Sequence, residues 1–118
     1  MRRVVVTGMG ITSCLGNTLE EVKESLFNAK SGIKKSDKYK SIGLHSQVCG
    51  KPNLTDEEIS KIIDRKQLRF MGRNAQYAYI AMQNAINDSG LKPEQYQSAR
   101  TSAILGQGGT SIDDGGAL

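Results

Sequence analysis

MRRVVVTGMGITSCLG, residues 1–16, decides how this chain is read. Two arginines lead into the β-branched run Val4, Val5 and Val6, and then Gly8, Gly10 and Gly16 interrupt it. The pattern predicts a buried strand over residues 3–7 that enters a tight glycine turn. Glycine in such a turn lets the backbone come close to a ligand or to another element of the chain. Gly8-Met9-Gly10-Ile11-Thr12-Ser13 approaches the dinucleotide-binding fingerprint, but Ser13 stands where that motif has its third glycine. The following helix begins only near Thr18, and about 20 residues on, where the motif needs an acid, stand Asn28, Ala29 and Lys30. The weight falls on a scaffold role, in which the glycines let a strand and a helix pack closely.

Beyond the turn, Asn17 or Thr18 is suited to cap a helix, and Glu20 and Glu21 complement its dipole. Leu19, Val22, Leu26 and Phe27 share one face, and Ser31-Gly32 ends the helix after about residue 29. Residues 33–53 are polar and irregular, with a short strand expected within 42–48. Thr55 and Glu58 form a capping-box pair, so a short helix follows to about Ile62. The clearest helix is expected over residues 65–89, with Leu68, Met71, Ala75, Ala78, Met82, Ala85 and Ile86 as its apolar stripe. Ser89-Gly90 stops it, and residues 94–97 suggest another short turn of helix. Ala103-Ile104-Leu105 reads as a second buried strand running into Gly106, Gly108 and Gly109. Strand, helix, loop, helix and strand in this order favour an α/β layered fold. Two strands make a poor sheet, so the 118 residues are expected to be the front part of a larger domain.

Composition narrows the function classes. Lys plus Arg number 16 against 12 Asp plus Glu, a mild net +4, and there is no Trp. A single-strand nucleic-acid binder that stacks bases would need more aromatics than the 5% present. Cys14 and Cys49 form neither a disulfide framework nor a Cys-x-x-Cys zinc motif, which points to reduced thiols, no metal and a cytoplasmic setting. No apolar run nears the ~18 residues of a membrane span. Arg2 and Arg3, an apolar stretch and Cys14 have the order of a lipoprotein signal, but Thr7, Gly8 and Gly10 break the stretch.

One cluster stands out. Arg65, Arg69 and Arg73 recur every four residues, with Lys66 beside them, along one side of the first two turns of the expected long helix. Cations at a helix N-terminus oppose the dipole, so either solvent or an acidic partner must compensate them. His45 has no second ligand or nucleophile pattern, Cys14 lacks the setting of an activated thiolate, and Asp113-Asp114 reads as a turn. The Gly106–Gly109 segment lacks the lysine of a phosphate loop.

Together these pieces resemble a known family. Arg3-Val4-Val5-Val6-Thr7-Gly8-Met9-Gly10 with Gly16-Asn17 is similar to the opening of the β-ketoacyl-acyl carrier protein synthases. Ser31-Gly32-Ile33, Ile63-Asp64-Arg65-Lys66, Arg69-Phe70-Met71, Ala85-Ile86, Ser89-Gly90-Leu91 and the loop at Gly106, Gly108 and Gly109 follow in family order. The Asp-Arg-Lys-x-x-Arg-Phe-Met form looks most like the type I elongating branch, with type II as the runner-up. The resemblance implies the N-terminal portion of a thiolase-like, layered αβαβα fold, with residues 1–118 an incomplete N-terminal part of the synthase N-terminal domain. It implies a homodimer that uses no cofactor and elongates fatty acids by decarboxylative condensation with malonyl-acyl carrier protein. The family's nucleophilic cysteine and two histidines match none of Cys14, Cys49 and His45, so the segment alone is expected to be inactive. Arg65, Lys66 and Arg69 match positions that dock the acidic acyl carrier protein, and Gly108 and Gly109 match a loop close to the acyl pocket. Two alternatives stay open: a stand-alone carrier-docking module without catalysis, and a nucleotide-binding α/β domain.

Overall fold

The glycine turn is built as a local clasp. In the computed structural model, which describes residues 1–109, the Ser13 amide donates to the Gly16 carbonyl at 2.9 Å and the chain reverses there. Thr18 then caps α1 (Leu19–Phe27) by accepting from the Glu21 amide at 3.2 Å, while the Glu21 carboxylate takes the Asn17 amide at 2.7 Å. One orphan donor of the first turn and the amide just before the cap are thereby satisfied, and Val22 is buried on the inner face. The helix ends two residues before Ala29, which adopts a left-handed φ of 50°.

The stretch expected to be irregular contains a small unit. β1 (Ile33–Lys35) pairs antiparallel with β2 (Val48–Gly50) in the register Ile33 to Gly50, Lys34 to Cys49 and Lys35 to Val48. Between them lies α2 (Asp37–Ser41), capped by Ser36. The short strand expected within 42–48 therefore begins only at Val48.

α3 (Asp56–Ile62) starts with the capping box read from Thr55 and Glu58. The Thr55 amide and hydroxyl both donate to the Glu58 carboxylate, at 2.8 and 2.9 Å, and hold its pKa below the ordinary glutamate value. Replacing Thr55 with Ala removes a cap worth about 1 kcal/mol. Urea unfolding should register that loss as a lower midpoint at unchanged slope.

The long helix expected over residues 65–89 is not continuous. α4 (Arg65–Leu68) is a single turn capped by Asp64, whose carboxylate takes the Lys66 amide at 2.8 Å. The chain then tightens, with Phe70 and Met71 amides bonding three residues back to Gln67 and Leu68. Gly72 is extended (φ −67°, ψ 167°) and starts α5 (Arg73–Ser89). Three contacts hold the break open: Met71 packs on the isoleucine core, the Gln76 side-chain amide donates to the Met71 carbonyl at 2.8 Å, and Arg73 pairs with Asp56 on α3. The interruption resets the helical phase. Ile80, outside the expected stripe, is the residue of α5 buried in the core, whereas Ala75 and Ala78 are exposed. Gly90, at φ 66°, stops α5 as expected, and α6 (Pro93–Tyr96) follows.

Ile59, Ile63 and Ile80 form the core, flanked by Leu54, Leu68, Met71 and Tyr77. A second packing surface joins the N-terminus to α5. A Cβ on Gly10 would overlap the Ala81 carbonyl oxygen and stand 2.6 Å from the Ala85 nitrogen, and one on Gly8 would stand 2.6 Å from the Ser89 nitrogen. The Met9 amide donates to Asp88 at 2.9 Å across this contact. The glycines thus serve the close packing of chain on helix, and the backbone of α5 occupies the approach they allow.

The expected strands at 3–7 and 103–105 do not form. A strand needs a hydrogen-bonding neighbour, and neither segment has one among the described residues. Val4 is 93% exposed and Ile104 91% exposed. The Cα radius of gyration, 17.0 Å, accordingly exceeds the roughly 13 Å of a compact domain of this length.

Candidate functional site

The expected basic cluster lies at the corner between α3 and α5. Asp64 caps α4 and fixes the turn that carries Arg65 and Lys66, while Arg69 follows its last residue. All three cations are exposed, and among the described residues none makes an ion pair. The fourth member behaves differently. Arg73 is tied to Asp56 and, at 3.3 Å, to Gln76, so its charge is spent on joining α3 to α5. The cluster does not run along one continuous helix, as the spacing predicts; it splits into three outward cations and one internal clamp. The signal missed is Asp56, 17 residues before Arg73, because pairing between elements leaves no periodic trace.

Local packing makes this corner a firm platform. Leu68 and Met71 anchor it to the isoleucine core, and the capping box of α3 fixes the preceding helix. Phe70 stands beside Arg69 with 90% of its surface exposed. The arrangement offers positive charge and one large apolar side chain on a short, well-anchored turn.

The other residues singled out are placed elsewhere. Cys14 lies within the clasp: a Cβ on Gly50 would stand 3.0 Å from its sulfur, which explains a glycine there. Cys14 lines a polar surface cleft of about 490 Å³ with Ser13, Asn17 and Lys34, and Lys30 bonds Glu24 across it at 2.8 Å, holding the Glu24 carboxyl below its ordinary pKa. Cys49 is half-buried on β2 and His45 is exposed in the loop before it. Gly108 and Gly109 are exposed, and a Cβ added to either would meet nothing within 4 Å. Asp113 and Asp114 lie outside the described residues. Among the described residues no three His, Cys, Asp or Glu side chains gather as a metal site would require. No helix there is long and apolar enough to cross a membrane.

Comparison with known proteins gives this geometry its context. Residues 1–117 match the family model described as the beta-ketoacyl synthase N-terminal domain. The chain is 44% identical over 112 residues to 3-oxoacyl-[acyl-carrier-protein] synthase 1 of Escherichia coli K12, covering 94% of this chain and 27% of that relative. It is 44% identical over 108 residues to synthase 1 of Haemophilus influenzae, covering 92% and 26% of the two chains. With 3-oxoacyl-[acyl-carrier-protein] synthase 2 of Vibrio harveyi it shares 32% identity over 112 residues, 95% of this chain and 26% of that one. The chain therefore spans about a quarter of the length of these curated relatives. A family match over almost its whole length, in the order in which the motifs fall, establishes that this chain belongs to the β-ketoacyl synthase family, in the N-terminal domain.

Proposed function

We propose that this chain is the N-terminal part of a 3-oxoacyl-acyl carrier protein synthase that elongates fatty acids, and that its own contribution is to receive the carrier protein. The observation that carries the second half is the anchored corner with Arg65, Lys66 and Arg69 exposed and unpaired among the described residues. Cations held at a helix start with no internal partner suit an acidic protein that binds and leaves quickly. The higher identity to relatives named synthase 1 than to the one named synthase 2 favours the type I branch.

The same reading supplies the layered αβαβα fold. Residues 4–6 and 103–105 are β-prone and uncovered, as strands are whose sheet neighbours come from elsewhere in the domain. Residues 1–118 are then an incomplete part of that domain, in a homodimer working in the cytoplasm. Gly108 and Gly109 belong to the wall of the acyl pocket, where side-chain-free backbone lets an alkyl chain pass. The nucleophilic cysteine and the two histidines lie in the length of the relatives that this chain does not span. Cys14 is engaged in packing against Gly50 and His45 stands on an exposed loop, which suits neither for that role.

The reaction transfers an acyl group from a thioester to an enzyme thiolate. The malonyl thioester then loses CO2, and the resulting carbanion attacks the acyl carbon and expels the thiolate, giving a 3-oxoacyl thioester. The complete protein, incubated with an acyl donor and malonyl-acyl carrier protein, should release one CO2 for each 3-oxoacyl product two carbons longer than the donor. Mass spectrometry of the carrier measures the product. Carrier binding without any elongation would favour a docking module, and neither binding nor elongation would remove the proposal.

A further inference from the structure

The corner that carries the three cations also carries a side chain that electrostatics does not explain. Phe70 is 90% exposed, on the turn between α4 and α5. Aromatic side chains are enriched at protein–protein interfaces relative to the rest of the surface. The setting of Phe70 separates it from the exposed valines at the N-terminus and from the apolar residues at 104 and 105. Val4, Val5, Val6, Ile104 and Leu105 lie in β-prone segments without sheet neighbours among the described residues, so the want of strand pairing accounts for their exposure. Phe70 lies in neither a strand nor an open groove.

Its backbone is held on both sides. The Phe70 amide bonds the Gln67 carbonyl at 3.0 Å. The next residue, Met71, is packed on the Ile59, Ile63 and Ile80 core, and its carbonyl accepts from Gln76 at 2.8 Å. Beyond it, Arg73 is clamped to Asp56. The ring is therefore presented from a fixed turn, which reduces the backbone entropy lost on binding. Arg69 precedes it directly, and Arg65 and Lys66 stand on the turn before.

We infer that Phe70 is the apolar anchor of the docking surface whose charged part is Arg65, Lys66 and Arg69. The inference rests on the carrier-docking reading above and deepens it. The occupant is the acidic carrier protein, chosen by charge complementarity, and the part that meets Phe70 is an exposed aliphatic side chain flanked by carboxylates. The cations steer and orient the encounter, which salt screens; the ring supplies desolvated contact, which salt does not screen. The two contributions are thus separable by experiment.

The test uses the complete protein and measures Kd for the acyl carrier protein by calorimetry at low, physiological and high ionic strength. Phe70→Ala should weaken binding by about tenfold at every salt concentration, leaving the slope of log Kd against log salt unchanged. Phe70→Leu should restore most of the affinity. Arg65→Glu with Lys66→Glu should weaken binding and flatten that slope. In turnover, Phe70→Ala should raise KM for the carrier-borne substrate at constant kcat. If the charge variant weakens binding and Phe70→Ala stays within twofold of the parent, the anchor is overturned and the docking reading stands. If neither variant changes Kd, the docking reading itself fails. A large drop in melting temperature for both Phe70→Ala and Phe70→Leu would assign the ring a structural role and overturn the anchor.

Discussion

Reversing Arg65 and Lys66 to Glu in the complete protein should lower kcat/KM for carrier-borne substrate by about 100-fold, through KM and association rate more than through kcat. The magnitude follows from what is exchanged. Two cations that face an acidic partner become two anions, so attraction is lost and repulsion replaces it. Each such change at an exposed, complementary interface is worth of order 1–2 kcal/mol, and 1.4 kcal/mol is a factor of ten. Stability should hardly change, because neither side chain makes an internal ion pair among the described residues. Replacing Arg65 and Lys66 by an acid at a helix start even favours the dipole slightly. A substrate borne on a small thiol in place of the protein should be used by variant and parent alike. Stopped-flow association measured across ionic strength checks the assignment: the parent rate should fall steeply with salt, and the variant rate should not. Arg73→Glu is a different experiment, since it breaks the link to Asp56 between α3 and α5 and should act first on stability.

Gly10→Ala should destabilise the protein by about 3 kcal/mol, near the upper end of overpacking effects. A single methyl group has this effect because of what it meets. The added carbon would overlap the Ala81 carbonyl oxygen and press on the Ala85 nitrogen, 2.6 Å away. Both are backbone atoms of α5, so no rotamer change relieves the contact. Either the N-terminal segment lifts from the helix, losing the Met9 bond to Asp88, or α5 shifts and disturbs Ile80 in the core. Gly43→Ala is the useful comparison. Gly43 has a φ of 73°, and a Cβ added there would meet nothing within 4 Å, so the cost of Gly43→Ala is conformational strain alone, about 1 kcal/mol. Urea denaturation of the parent and both variants should rank them parent, Gly43→Ala, Gly10→Ala in falling midpoint. Equal midpoints for the two variants would remove the close-packing account of the opening turn.

The elements that local chemistry dictates were legible in the residues. Thr18 and Thr55 cap the helices expected of them, because a cap bonds within three residues of itself. Gly90 stops α5 for an equally local reason, its left-handed backbone. The cations at 65, 66 and 69 and the apolar ring at 70 were also visible, since charge and side-chain type need no fold to be read.

What failed to be legible depends on partners far along the chain. The apolar steps at Leu68, Met71 and Ala75 run straight across Gly72, yet the helix breaks there, with Gly72 extended and Met71 drawn to a core shared with Ile59 and Ile63. Arg73 looks like its three neighbours in sequence and differs only because Asp56 lies across from it. Residues 4–6 have every local mark of a strand and find no partner among the described residues, because strand formation is a property of two segments and not of one. The sequence by itself therefore determined the starts of α1 and α3, the stop of α5, the family and the location of the positive charge, since these follow from side chains and their immediate neighbours. The tertiary structure alone decided that the opening glycines pack on α5, that one cation of four is a clamp, and that the other three, unpaired among the described residues, stand beside an exposed ring. Those outcomes turn on non-local contacts, which spacing along a chain does not encode.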